Sequence, residues 1–184
     1  MKPYVISISA ISGGGKTAVA TALARCLPGA SILHFDDYPG DLLGRDYCQW
    51  SEAGADANEW NLSSMISDIR QAKQQDIPFL IVDYPFGRAH KQVSELTDLS
   101  IWIDTPLDIA LARRILRDYC FRATNRKALS DPLKHLAGTT SFYLERHRET
   151  YCKHIETVQS TCDLSIQGTL SVDDIVSAIL RSIP

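Results

Sequence analysis

No apolar run in the chain approaches the ~18 residues a membrane-spanning helix needs, which excludes a spanning segment. Met1-Lys2-Pro3 leads straight into a strand-like stretch without a signal-peptide cleavage pattern, so the expected location is cytoplasmic, with no membrane partner. Cysteine is sparse. Cys26, Cys48, Cys120, Cys152 and Cys162 are odd in number, scattered and free of C-x-x-C spacing, which argues against a disulfide framework or a zinc site. Repeats, linkers and low-complexity tracts are missing, and 184 residues suit one domain spanning 1–184. An excess of one charge is missing too: the net charge of -3 excludes a grossly basic nucleic-acid binder. Hydrophobic residues at 45% and charged residues at 22% are ordinary for a globular core and exclude a disordered chain.

The small net charge conceals two opposed blocks. Asp36, Asp37, Asp41, Asp46, Glu52, Asp56 and Glu59 face one base, Arg45; further on, Arg113, Arg114, Arg117, Arg122, Arg126 and Lys127 face one acid, Asp118. Two such blocks in one small domain suggest a site that handles groups of different charge.

Short apolar runs alternate with helical patterns. Strands are expected at Tyr4–Ser9, Ser31–Phe35, Phe79–Asp83, Ser100–Asp104 and Asp163–Ile166. Helices are expected over Lys16–Leu27, from Leu62 to about Gln75, after Thr105-Pro106 with Ile109, Ala112, Ile115, Leu116 and Tyr119 as its apolar face, over Phe142–Val158, and over Val172–Leu180. This alternation predicts an α/β chain: a parallel sheet of about five strands covered by helices on both faces. Ligands in such sheets bind beyond the carboxyl ends of strands, which is where Ser12 to Lys16, Asp36 and Asp83 fall.

Ala10-Ile-Ser-Gly-Gly-Gly-Lys-Thr17 fits the pattern G-x-x-x-x-G-K-[ST], with Ala10 in place of the first glycine, between a strand and a helix. A loop of this kind wraps phosphate with backbone N–H groups at a helix N-terminus. A helix dipole alone supplies only ~0.3–1 kcal/mol. Several donors, each worth ~1.5–3 kcal/mol to a charged group, must therefore act together with Lys16. Ser12, Gly13, Gly14, Gly15, Lys16, Thr17 and Ala18 are the expected nucleotide-binding residues, with the Thr17 hydroxyl on Mg²⁺. Arg113 and Arg117, four apart on one helical face, can converge on a single anion. Arg114 is placed to pair with Asp118, and His135, His147 and His154 read as structural or surface residues.

At this point the chain resembles the uridine kinase and nicotinamide riboside kinase group of P-loop kinases. Ile8-Ser-Ala-Ile-Ser-Gly-Gly-Gly-Lys-Thr17 is similar to that group's phosphate loop, and His34-Phe-Asp-Asp-Tyr38 to its D-D-F-Y segment. Trp50 to Leu62, with Asp56, Ala57 and Trp60, resembles its Y-D-x-P-x-A-F-D-W-D-L stretch, Ala112-Arg-Arg-Ile-Leu-Arg-Asp118 its R-R-x-x-R-D lid helix, and Tyr151 to Gly168 its closing segment. Asp83-Tyr-Pro-Phe-Gly87 departs from the usual Glu-Gly, and Ala123-Thr-Asn-Arg126 from R-G-R-D. The resemblance implies a three-layer P-loop NTPase fold with a helical lid at about 113–137. It implies ATP and Mg²⁺ as cofactors and phosphoryl transfer to a hydroxyl of a small, nucleoside-like acceptor. Asp36 would then be the general base, with Asp37 its competitor; Lys16 and Arg117 would complete the catalytic set. Asp36 and Asp83 would join Thr17 around the metal, Asp37, Tyr38, Trp60 and Asp83 would face the acceptor, and Gln167 would lie by the adenine. Tyr47 and Trp50 are further candidates to stack on a ring. Two rivals stand: a kinase of another alcohol (nicotinamide riboside, pantothenate or a sugar), and a regulatory nucleotide-binding switch. The oligomeric state is left open.

Overall fold

The structure is a computed structural model that describes residues 2–38, 42, 44–121 and 131–184. Its centre is the strand β1 (Tyr4–Ser9), where Val5, Ile6 and Ile8 are fully buried and Ser7 and Ser9 are buried with them. Covered on both faces, the strand also buries its two serines, which are satisfied inside: the Ser7 hydroxyl bonds to the Ser100 hydroxyl at 3.0 Å and the Ser9 hydroxyl donates to the Tyr84 carbonyl at 2.6 Å. It pairs in parallel with β3 (Phe79–Asp83) on one side and β4 (Leu99–Asp104) on the other, and β2 (Ser31–His34) and β5 (Leu164–Gln167) close the edges. The order is β2-β3-β1-β4-β5, all parallel.

On one face, α1 (Lys16–Cys26) and α8 (Val172–Leu180) bury Val19, Leu23, Ile175 and Ile179 against the sheet. On the other, α2 (Tyr47–Glu52) and α3 (Ser63–Ala72) bring Trp50, Met65 and Ile69 onto Leu80, Val82, Tyr84 and Phe86. After the short α4 (Lys91–Ser94), a third cluster joins α5 (Leu107–Ile115) and α7 (Arg148–Val158) through Ala110, Tyr151, Val158 and Trp102 of β4. Arg88 fastens the far side of the molecule: it bonds to Asp163 at 2.6 Å and to the carbonyls of Ser94, Thr97 and Asp98.

The expected elements form, with three differences. β2 stops at His34, and Phe35–Asp37 is a 3₁₀ turn that swings Asp36 and Asp37 out of the strand. Helix continues upstream of Phe142 as α6 (Pro132–Phe142), whose start is set by Asp131, which accepts from the Lys134 N–H, and by Pro132 at the first helical position. The apolar face of α5 is displaced. Ala112 is exposed and Leu116 is 47% exposed, while Ala110 is buried and Leu107 and Leu111 pack beside it. The ladder passes into π-helical turns at Leu116–Phe121 and again at Tyr143–His147, which rotates the residues that follow each of them, and Arg114, in the last turn of α5, donates to the Tyr151 hydroxyl at 2.9 Å.

Candidate active site

The loop between β1 and α1 is the floor of the site. Gly13 and Gly15 hold φ of 85° and 102°, conformations in which an L side chain is strained, and both line the cavity at the start of α1. Gly14 answers the substitution at Ala10. The Ala10 methyl is buried, and a Cβ on residue 14 would lie 2.6 Å from it and 2.9 Å from the Ile11 carbonyl. The loop therefore tolerates Ala10 because residue 14 has no side chain. It is braced by the Gly14 N–H on the Ile11 carbonyl at 2.9 Å and by the Thr105 hydroxyl on the Gly14 carbonyl at 2.8 Å.

β3 lies directly beside β1, with Asp83 opposite Ile8, so its terminal carboxylate comes under the loop. Asp83 is buried; its Oδ2 accepts from the Thr17 hydroxyl at 2.6 Å and lies 3.0 Å from His34 Nδ1, while Lys16 Nζ stands 3.7 Å from Oδ1. Asp83 Oδ1 has no hydrogen-bond partner among the described residues. A buried carboxylate oxygen left open beside a threonine hydroxyl and a lysine fits a hydrated divalent cation riding on phosphate. Among the described residues, no group of three or more His, Cys, Asp or Glu side chains forms a metal cage.

Two cavities meet at this floor. One, of about 300 Å³, is lined by Ile11, Gly13, Gly15, Lys16, Thr17, Ala18, Arg113 and Arg117. The other, of about 430 Å³, holds Ser12, Asp36 and a wall of rings from Phe35, Tyr47, Trp60, Phe86, Tyr151 and His154; Ile11, Lys16, Thr17 and Arg117 belong to both. Arg113 donates to the Gly168 carbonyl at 3.0 Å, which leans α5 on the residue after β5. Arg117 holds Asp118 through two hydrogen bonds, at 2.7 and 3.2 Å. Those bonds, with the charges of Asp118 and Asp36, raise the Arg117 pKa against the cost of its partial burial.

Of the residues expected from sequence, Ser12, Lys16, Thr17, Asp36, Trp60 and Arg117 line the larger cavity, and Arg113 and Ala18 line the smaller. Asp83 sits beneath them. Asp37 is exposed and is not among the lining residues. Tyr38 is turned away, its hydroxyl on Asp68 of α3 at 2.8 Å, and that bond follows burial in raising its pKa. Gln167 is an exposed residue at the end of β5, outside both linings. Trp50 is core, fully buried, with its indole N–H on the Asp56 carbonyl. Arg122 and Arg126 lie outside the described residues. Arg114 reaches Asp118 at 3.7 Å, as expected from their spacing.

The acidic block proves mainly architectural. Asp46 caps α2 and, with Glu52, faces Arg146; Glu59 pairs with Arg45 at 2.8 Å; Asp56 caps the turn at Ala57–Glu59. Among the described acids of the block, Asp36 alone lines the cavity. The wall residues that sequence reasoning passed over are Phe35, Phe86, Tyr151 and His154. His154, expected to be structural or on the surface, is buried in that wall. Burial, more than the opposing effect of its bond to the Pro85 carbonyl, lowers its pKa to about 4. The readable signal was Tyr151-x-x-His154, which puts both rings on one helical face.

Three comparisons bear on this geometry. A uridine kinase of Borrelia garinii subsp. bavariensis is 27% identical over 186 residues, covering 88% of this chain and 85% of the relative. A uridine kinase of Schizosaccharomyces pombe is 23% identical over 217 residues, covering 99% of this chain and 45% of the relative. The chain thus spans less than half the length of the two yeast uridine kinases it matches. The solved structure of a possible uridine kinase from Bacillus stearothermophilus superposes with a TM-score of 0.54 at 13% identity, covering 91% of this chain and 90% of that one, and shares the P-loop NTPase fold. The model of the Phosphoribulokinase / Uridine kinase family matches residues 54–175, from just after α2 into α8. With the phosphate loop, the adjoining β3 carboxylate and Arg113 and Arg117 gathered at one sheet end, the chain belongs to the phosphoribulokinase / uridine kinase family of P-loop kinases.

Proposed function

We propose that the chain is an ATP- and Mg²⁺-dependent kinase that passes the γ-phosphoryl group to a hydroxyl of a nucleoside-like acceptor. One observation carries the reading: two cavities, one built by the phosphate loop and lid arginines and one walled by aromatic rings, share Lys16, Thr17 and Arg117. A phosphoryl group held there faces both its donor and its acceptor, and positioning of that kind is most of what such a transfer requires.

In this reading the loop N–H groups and Lys16 hold the nucleotide phosphates. Asp36 takes the proton from the acceptor hydroxyl as its oxygen bonds to the γ-phosphorus and the bond to the β-phosphate oxygen breaks. Thr17 and Asp83 would hold the cation, which when bound neutralises charge between the phosphates. Arg117, and Arg113 behind it, place positive charge over the group in transfer. The aromatic wall favours an acceptor carrying a flat ring over a sugar or pantothenate, because ring faces match ring faces and few polar groups are offered to a polyol. An acceptor-sized cavity against the loop likewise favours a transferase over a switch. The free thiols of Cys26, Cys48, Cys152 and Cys162 agree with a reducing, cytoplasmic setting.

The test separates binding from transfer. Asp36→Asn should retain ATP affinity and lose transfer by ~10²–10⁴-fold, the usual contribution of a general base; Lys16→Ala should lose both. Full transfer by Asp36→Asn would take the base away from Asp36.

A further inference from the structure

The one fully buried histidine in the acceptor wall is fixed at both ring nitrogens. His154 Nε2 is 2.9 Å from the Pro85 carbonyl oxygen, and His154 Nδ1 is 2.8 Å from the Tyr47 hydroxyl. A carbonyl can only accept, so Nε2 carries the hydrogen. A neutral imidazole has one N–H, so Nδ1 can only accept, and the Tyr47 hydroxyl must donate its single proton to it. Neutrality is secured by the site: His154 is 1% exposed, packed among Tyr47, Trp50, Phe86 and Trp102 with ring centroids 5.5–6.3 Å away, and the nearby Lys16 charge opposes a second cation. Tyr47 itself stays a phenol, since burial pushes its pKa well above the ordinary tyrosine value.

From this chain of donors and acceptors we infer that the Tyr47 oxygen is a one-way hydrogen-bond acceptor in the cavity wall, and that the acceptor molecule must present it with an N–H or O–H. The hydroxyl cannot turn to donate without breaking its bond to His154 and leaving a buried ring nitrogen unpaired. Away from Ser12, Lys16, Thr17, Asp36 and Arg117, the other side-chain polar groups of the described lining are the Tyr151 hydroxyl, which receives Arg114, and the Trp60 indole N–H, which is buried without a partner among the described residues and can only donate. Tyr47 is therefore the wall's hydrogen-bond acceptor for the ring-bearing part of the acceptor molecule. A ring with an N–H edge is admitted; the same ring methylated at that nitrogen offers no proton and leaves the phenol oxygen unsatisfied. The loss of one such bond at a desolvated site is worth about 10- to 100-fold.

This inference rests on the cavity being the acceptor site, and its test is built to fail separately from the kinase reading. Uridine against 3-methyluridine and inosine against 1-methylinosine are measured for binding by calorimetry and for phosphorylation, with the native chain and with Tyr47→Phe. The expected result is about 10- to 100-fold preference for an N–H member by the native chain, reduced to a few-fold in Tyr47→Phe. A ¹⁵N–¹H spectrum of the native chain should show His154 as the neutral Nε2–H tautomer. An Nδ1–H tautomer or an imidazolium at pH 7 overturns the inference, as do equal handling of both members of each pair, binding of neither pair, or an unchanged ratio in Tyr47→Phe. If an N–H member is preferred in binding but nothing is phosphorylated, the kinase reading falls and the inference stands.

Discussion

His154 makes folding stability depend on pH in a window that can be calculated. An exposed histidine titrates near 6.5, whereas burial among aromatic rings holds His154 at about 4 in the folded chain. As pH falls below 6.5 the unfolded chain takes up this proton first, so stability is lost from about pH 6.5 down to about 4 and changes no further below that. At 1.36 kcal/mol per unit of pKa difference, the total loss is about 3 kcal/mol. The comparison is with His154→Gln, whose amide can still donate to Pro85 and accept from Tyr47 but does not titrate. Urea unfolding of both proteins at pH 7.5, 6.5, 5.5 and 4.5 gives the difference in stability, in which the other titrating groups cancel. With an m-value of ~2–3 kcal/mol/M, the relative midpoint should move by about 1 M across the series in favour of the variant at low pH. A difference that stays constant with pH would refute the assignment of His154 as a buried neutral base.

The accommodation of Ala10 by Gly14 predicts a coupled pair. Gly14→Ala brings two methyl carbons to 2.6 Å, about 1 Å inside contact, and should cost ~1–3 kcal/mol and weaken ATP binding. Ala10→Gly on that background should return part of the loss, with a coupling energy above ~0.5 kcal/mol in urea unfolding; simple additivity would contradict the contact. Arg88→Ala removes the donors to three carbonyls and to Asp163 and should destabilise by ~2–4 kcal/mol, measured by urea unfolding, while ATP affinity at low temperature stays unchanged because Arg88 lies outside both cavities.

The parallel sheet was legible in the sequence because its central strands β1, β3 and β4 are buried on both faces and so are dominated by apolar residues set between helical patterns. The phosphate loop was legible for a related reason: its backbone geometry demands glycines and its chemistry demands Lys16 and Thr17, and all are contiguous. The aromatic cavity wall was not. Its rings come from Phe35, Tyr47, Trp60, Phe86, Tyr151 and His154, which are distant in the chain and brought together by the sheet order, and aromatic residues are as common in cores as in sites. Trp50 and Trp60 illustrate this, since only the second lines the cavity. Charge misled in one direction. The acidic block reads as one surface, yet Asp46, Asp56 and Glu59 act as caps and bridge partners, which sequence counts cannot distinguish from free carboxylates. The α5 face was misjudged in two ways: the apolar residues Leu107, Ala110 and Leu111 offered an alternative stripe that is the one packed, and from Leu116 onward a π turn breaks the 3.6-residue period on which periodicity arguments depend.

The central claim is that phosphorus moves from nucleotide to an organic hydroxyl rather than to water. The direct measurement supplies ATP labelled in its γ-phosphate, with Mg²⁺ and a panel of nucleosides and small alcohols, and follows the label. The account predicts label on a ring-bearing acceptor, formed faster than inorganic phosphate and lost in Asp36→Asn. Label that appears only in inorganic phosphate, at a rate no acceptor changes, would contradict it.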